Sequence, residues 1–219
     1  MSSRPPSTLA SGVEHELVVK RSRFLTYLSP ATTEAAVQEA VRDRRALYRD
    51  ARHHCVASVL GPHGETRRSS DDGEPAGTAG VPMLEVLRHR EMTDVVAVVT
   101  RYFGGVLLGA GGLVRAYSGA VASALDAAVD ARAVLRRQAL VEVTVDAPHT
   151  DAGRLEHRLR EWAAAHGAVT RPTRYADSAR LTLLVPRTEL DRLHHDVASA
   201  TAGSVVPHVG DEQVVDVPR

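Results

Sequence analysis

Thr93-Asp94-Val95-Val96-Ala97-Val98-Val99-Thr100 runs directly into Arg101-Tyr102-Phe103-Gly104-Gly105. After Leu108-Gly109-Ala110-Gly111-Gly112 the chain continues as Leu113-Val114-Arg115-Ala116-Tyr117. The first run is apolar, rich in valine and without alternation, so it predicts a strand buried on both faces or under helices. The glycines then interrupt regular structure. From Gly112 to about Asp130, Leu113, Ala116, Tyr117, Ala120, Val121, Ala124 and Leu125 recur at helical spacing and predict one long amphipathic helix. Strand, glycine loop and helix are the frame on which the rest of the chain is placed.

Upstream lies a second glycine-rich stretch, Ser70-Asp71-Asp72-Gly73-Glu74-Pro75-Ala76-Gly77-Thr78-Ala79-Gly80. Glycine at this density costs backbone entropy, so it marks sharp turns or close approaches. The two loops carry Asp, Glu, Arg, Thr and Tyr. They read either as two tight connections around a core or as one polar site made from both.

Around these loops, Ser22 to Leu28 reads as a strand ended by Ser29-Pro30. Thr32 or Thr33 caps a helix that has Glu34 in its first turn and runs to about Asp50 through Val37, Ala40, Val41, Leu47 and Tyr48. His54–Leu60 and Glu65–Arg68 flank Gly61-Pro62-His63-Gly64 as a hairpin. Pro82 suits the first turn of a helix ending near Arg90. Residues 1 to 12 read as a disordered tail.

A second unit begins near Arg137. It reads as strand Ala139–Val145, helix Thr150–Ala165, strand Val169–Tyr175, strand Ala179–Val185, helix Thr188–Ala200 and strand Ser204–Val209. That β-α-β-β-α-β order is the ferredoxin-like split unit. The chain after Gly210 reads as a loose end. The fold class is therefore α+β with two domains, 13–135 and 138–210.

The two loop segments together resemble the YigZ/IMPACT family. The likeness rests on Asp71-Asp72-Gly73-Glu74-Pro75, Gly77-Thr78-Ala79-Gly80, Thr100-Arg101-Tyr102-Phe103-Gly104-Gly105, Leu108-Gly109 and Gly111-Gly112-Leu113-Val114-Arg115-Ala116-Tyr117. Lys20-Arg21-Ser22-Arg23-Phe24, His53 and Cys55 also sit where the family has similar residues. The resemblance covers roughly residues 16 to 125. It implies an N-terminal α/β two-layer domain similar to domain IV of elongation factor G and to the GHMP kinases, with a ferredoxin-like second domain. It also implies a role in translation regulation under stress, with RNA, the ribosome or a translation factor as partner.

Composition bounds the alternatives. Lysine plus arginine and aspartate plus glutamate number 27 each, so the formal charge is zero. Attraction to nucleic acid must then come from a local patch. The single cysteine, Cys55, rules out an intramolecular disulfide. No signal peptide or membrane-length apolar run is evident, which predicts a cytoplasmic protein with no membrane partner.

The chemistry at the loops admits two readings. Asp71, Asp72 and Glu74 repel one another unless they bind loop amides or a cation, and Mg²⁺ is the hard cation that would suit them. Otherwise an Asx-turn uses them up, with Thr78 beside them. Arg101 ends the buried strand, and Arg115 falls in the first turn of the next helix. With Gly104, Gly105, Gly111 and Gly112 exposing backbone N–H groups, they form a candidate anion site for a phosphate of RNA, a nucleotide or a small molecule. The alternative is an internal salt bridge to the acidic loop. Tyr102 and Phe103 could stack on bases at a sheet edge, or Phe103 and Tyr117 could fill the core. His53, His54 and Cys55 are consecutive on a strand and so cannot chelate one ion. No P-loop, Gly-x-Ser-x-Gly or Cys-x-x-Cys is present, so a binding protein is expected ahead of an enzyme, with no resident cofactor.

Overall fold

The structure is a computed structural model and describes residues 6–218. It is α+β, with two sheets and five α-helices among the described residues. The chain divides into two compact units. One runs to Arg137 and takes in the chain again from Asp216; the other is Gln138–Val215.

In the first unit, β1 is Thr8–Leu9, β2 Val13–Val19, β3 Ser22–Pro30, β4 His53–Leu60, β5 Thr66–Ser70 and β6 Val95–Tyr102. The helices are α1 Glu34–Leu47, α2 Gly80–His89 and α3 Ala110–Asp130. Five strands form one sheet in the order β2-β3-β6-β4-β5, every pair antiparallel.

Strand β6 is central, which accounts for its unbroken apolar run. Val95, Ala97 and Val99 pack on the face that meets α2 and α3, with Phe24, Leu28, Met83, Leu87 and Tyr117. Val96 and Val98 point the other way, toward Val37 and Ala40 of α1. Alternation on a strand sends successive side chains to opposite faces, and here both faces are covered. The expectation of two layers is corrected accordingly: α1 makes a third.

Thr33 caps α1 by accepting from the Ala36 N–H at 3.2 Å. Leu47, placed in the apolar stripe by spacing, is 59% exposed because the helix ends there.

Two elements correct the reading of the N-terminus. Leu9, expected in a disordered tail, is buried, and β1 pairs with the start of β7 (Val134–Ala147) through Thr8↔Leu135 and Leu9↔Val134. The remainder of that tail, residues 1–5, lies outside the described residues. Strand β2 escaped notice because its hairpin turn is Lys20-Arg21, with φ of 47° and 68°. A two-residue turn with positive φ at both positions is ordinarily announced by Asn-Gly.

In the second unit, β7 is joined through α4 (His149–His166) to β8 (Val169–Thr170), then β9 (Arg174–Tyr175) and β10 (Ala179–Val185). A short 3₁₀ turn leads into α5 (Leu190–Thr201), and β11 (His208–Pro218) closes the unit. Strand β10 pairs antiparallel with β7, β8 and β9, and β11 pairs with β7. Val143, Val145, Leu181 and Leu183 face Leu155, Leu159, Leu193 and Val197 in a separate core.

The strand expected over Val169–Tyr175 is two short pieces, broken where Pro172 removes a backbone donor. The chain after Gly210 is not a loose end. It is strand, disguised in sequence by Asp211 and Glu212, the kind of charge that edge strands carry.

Candidate functional site

The acidic loop connects β5 to α2, and its carboxylates serve the loop itself. Asp71 accepts from the N–H groups of Gly77 (2.8 Å), Ala79 (3.0 Å) and Gly80 (2.8 Å), capping α2, whose N-cap position supplies no side-chain bond. Asp72 sits at φ 43°, accepts from the His54 N–H at 2.6 Å and pairs with Arg45. Its carbonyl lies 2.9 Å from His53 Nδ1. Thr78 donates to the Pro75 carbonyl at 2.7 Å and so holds the turn. Each of these polar groups satisfies a neighbour's orphan donor or acceptor, as buried loop backbone requires.

Burial pushes the Asp71 carboxyl up. The N–H groups of Gly77, Gly80 and Ala79 together outweigh that and hold it below the usual carboxylate value. A carboxyl lowered in the folded state stabilises the fold above its unfolded pKa of about 3.9, and the effect is lost as pH falls through the folded value. Asp71→Ala is therefore expected to cost about 1–2 kcal/mol at neutral pH, the scale of a lost helix cap. The gap from the parent protein should begin to narrow as pH falls below about 4 and shrink further toward the lower folded value. Urea titrations at pH 7 and pH 3 check this, and a gap that stays constant would show that the carboxylate is not the source.

Glu74 turns the opposite way, into the core. Its Oε1 accepts from Arg101 Nη1 at 2.7 Å and from the Tyr117 hydroxyl at 2.8 Å, and the Glu74 and Arg101 side chains are 3% and 9% exposed. Tyr117 is fully buried and meets Phe24 edge-on at 5.1 Å. Cys55 lies alongside, its Sγ 3.1 Å from the Asp71 carbonyl. Burial pushes the Cys55 thiol up to about 12 and raises the Tyr117 phenol as well, so neither offers an anionic nucleophile near neutral pH.

The two glycine-rich loops thus meet through Glu74 and Arg101. For Arg101 the internal salt bridge is the arrangement found. Arg115 is apart from it: α3 begins at Ala110, so Arg115 lies in the second turn rather than the first, exposed and forming no ion pair among the described residues.

The second loop, from Phe103 to Gly109, projects outward. Phe103 is 58% and Leu107 85% exposed. Gly105 and Gly109 hold φ of 82° and 69°, where side chains are strained. Gly104 is required for another reason: a Cβ there would lie 2.0 Å from the Arg21 carbonyl carbon. Gly112 packs on Leu108, and a Cβ at Gly111 would sit 3.6 Å from Arg115 Nη1, so this guanidinium folds back over the uncapped start of α3.

Tyr102 lies at the end of the central strand rather than on a sheet edge, and donates to Asp50 at 2.7 Å. Beside it opens a cleft of about 480 Å³ lined by Arg52, His53, Arg101, Tyr102, Phe103 and Leu107, among others. Arg45, Asp50, Arg52 and Leu107 were missed in the sequence. The only signal was the apolar pair Val106-Leu107 inside a glycine loop.

No group of three or more His, Cys, Asp or Glu among the described residues is placed to hold a metal ion. No helix among them is long and apolar enough to cross a membrane.

The profile of the Impact N-terminal domain matches residues 20–125, which contain both loops. IMPACT family member YvyE of Bacillus subtilis is 44% identical over 154 residues, 70% of this chain and 69% of that protein. The chain belongs to the IMPACT family. IMPACT family member YigZ of Escherichia coli is 50% identical over 109 residues, covering 49% of this chain and 53% of the relative. Residues 145–204 match a domain of unknown function, DUF1949. A solved crystal structure of a hypothetical protein aligns over 97% of this chain and all of its own, at 33% identity and a TM-score of 0.56. The Impact N-terminal domain match therefore falls on the unit that carries the Glu74–Arg101 pair and the projecting loop.

Proposed function

We propose that this chain is a translation-associated binding protein of the cytoplasm that contacts RNA through the Phe103–Leu108 loop. One observation carries the reading: the exposed apolar tips Phe103 and Leu107 are bordered by Lys20, Arg21, Arg52 and Arg115, none of which is ion-paired among the described residues. Arg21 is brought to the loop by the close approach of Gly104, Arg52 by the cleft wall, and Arg115 by the start of α3. An apolar and aromatic tip within unpaired positive charge suits a phosphate backbone with bases alongside. It does so in a chain whose total charge gives no general attraction.

Family membership supports a translation context. So does the strand order β11-β7-β10-β8 of the second unit, which suits the ferredoxin-like fold proposed for it beside an elongation-factor-like first unit. Fold alone carries no function, so the weight rests on the loop. The reading needs no resident Mg²⁺, because backbone N–H groups, Arg45 and Arg101 already compensate Asp71, Asp72 and Glu74. It is also non-enzymatic.

The test is co-sedimentation with ribosomes and with protein-free ribosomal RNA. Binding at about 50 mM salt should fall steeply by about 200 mM as counterions compete. Arg115→Ala should weaken it by about 1–3 kcal/mol, the scale of a charge-assisted hydrogen bond, without moving the melting temperature. A lowered melting temperature with intact binding would make Arg115 a structural residue.

A second reading, a phosphorylated small molecule or nucleotide as ligand, is favoured by the Arg115 guanidinium lying against the positive end of α3, where a cation is unfavourable without an anion. Calorimetry with nucleotides, with and without Mg²⁺, addresses it.

A further inference from the structure

The cleft beside the projecting loop has features that a general basic surface would not need. It is about 480 Å³, within the size range of pockets that enclose one small organic group and far too small for a duplex. Its lining is nearly balanced in formal charge: Asp50 lines it together with the unpaired Arg52, and Arg101 is paired with Glu74 behind it. The other unpaired cations, Lys20, Arg21 and Arg115, lie on the surrounding surface. A neutral recess within a basic surface separates a place for a base from places for phosphates.

The polar groups in the recess are set for recognition. Arg101 is more than nine-tenths buried, and Glu74 engages only its Nη1; its Nε is buried with no partner. Buried arginine donors are ordinarily satisfied, so this guanidinium, which lines the cleft, is left with spare donor capacity. His53 complements it. Its Nδ1 lies 2.9 Å from the Asp72 carbonyl, which can only accept, so Nδ1 carries a proton and Nε2 is the ring nitrogen left for a ligand. Phe103 closes the recess with a ring more than half exposed, with the Arg101 guanidinium 5.8 Å from its centroid. A base offers an aromatic face to the ring and an acceptor to the arginine, and a ribose hydroxyl offers a partner to the imidazole.

We infer that this cleft receives one unstacked nucleotide of single-stranded RNA, its base against Phe103 and its flanking phosphates on the basic surface. The inference rests on the RNA-contact reading above and adds the strandedness and the pocket. Duplexes hold their bases stacked, so they reach the basic surface without filling the cleft.

The experiment measures binding of a labelled 12-nucleotide single-stranded RNA, the same sequence as a duplex, and the single-stranded DNA equivalent, at low salt, to the full chain and to Phe103→Ala. Phe103 is exposed, so the variant should melt with the parent. Loss of one base–aromatic stack corresponds to roughly tenfold in affinity. The expected result is a loss of that size for the single strands and not for the duplex, with single-stranded DNA binding the parent more weakly than RNA. A 2-aminopurine placed mid-strand should change its emission on binding to the parent and not to the variant. If RNA binds but Phe103→Ala leaves single-stranded affinity and emission untouched, or weakens duplex equally, the cleft inference is overturned while the RNA reading stands. If no RNA binds, both fall.

Discussion

Glu74→Ala is expected to lower the stability of the first unit by about 3–5 kcal/mol, the cost of removing one partner from a buried ion pair. Glu74 is the single acceptor for Arg101 Nη1 and the Tyr117 hydroxyl at 2.7 and 2.8 Å. Its loss strands a guanidinium whose Nε already lacks a partner, and leaves a phenol unpaired in the core. Glu74→Gln keeps an acceptor of the same shape and should cost less. Urea unfolding followed by far-ultraviolet circular dichroism reads the loss. Trp162, the only tryptophan, lies in the second unit and ties α4 to α5 by donating to Asp196 at 2.8 Å. Its fluorescence midpoint should therefore stay where it is in the parent. A change under about 1 kcal/mol, the scale of a surface pair, would mean that water reaches the pair and that it does not hold the loops together.

Gly104→Ala is expected to be nearly as damaging, although it removes no interaction. The added carbon would lie 2.0 Å from the Arg21 carbonyl carbon and 2.2 Å from its oxygen. Both sides of that contact are backbone, and neither can swing away as a side chain would. Arg21 is held at φ 68° in the tight turn between β2 and β3, and Gly104 follows directly on Phe103, next to the central strand. Relief requires the loop to move off the hairpin, at about 1–3 kcal/mol or somewhat more, the range for overpacked sites. The projecting loop would move with it, so under the proposed RNA contact the affinity should fall together with the melting temperature. Gly105→Ala is the comparison. It meets no atom within 4 Å but must hold φ 82°, so it should cost only the local strain, about 1–2 kcal/mol. Equal melting temperatures for the two variants would show that the close approach does not matter.

Much of the architecture was legible because its signals are local. A valine run between polar ends marks β6, helical spacing of Leu113, Tyr117 and Val121 marks α3, and Thr33 before Glu34 marks the start of α1. Where the signal was not local, the sequence was silent. Leu9 is a lone apolar residue among polar ones, and it becomes strand only because Val134 lies opposite. Strand β11 carries acidic residues because its position beside β7 leaves it tolerant of them.

The loops divide in the same way. By itself, the sequence determined which residues are available to the site: Asp71, Asp72, Glu74, Thr78, Arg101, Tyr102 and Arg115, set among glycines that permit sharp turns. It also determined that β6 must be covered on both faces, since Val95 to Val99 have no polar side to show to water. Only the tertiary structure decided how these residues are used. Glu74 points inward to Arg101 while Asp71, three positions earlier, points back to cap α2. That choice follows from where β6 and α3 place their donors, not from anything in the loop. Arg101 and Arg115 look alike in sequence, yet one is buried and paired and the other exposed and free among the described residues. The physical reason is that a charge's role depends on its solvation and its nearest opposite charge, and chain folding brings both from distant segments.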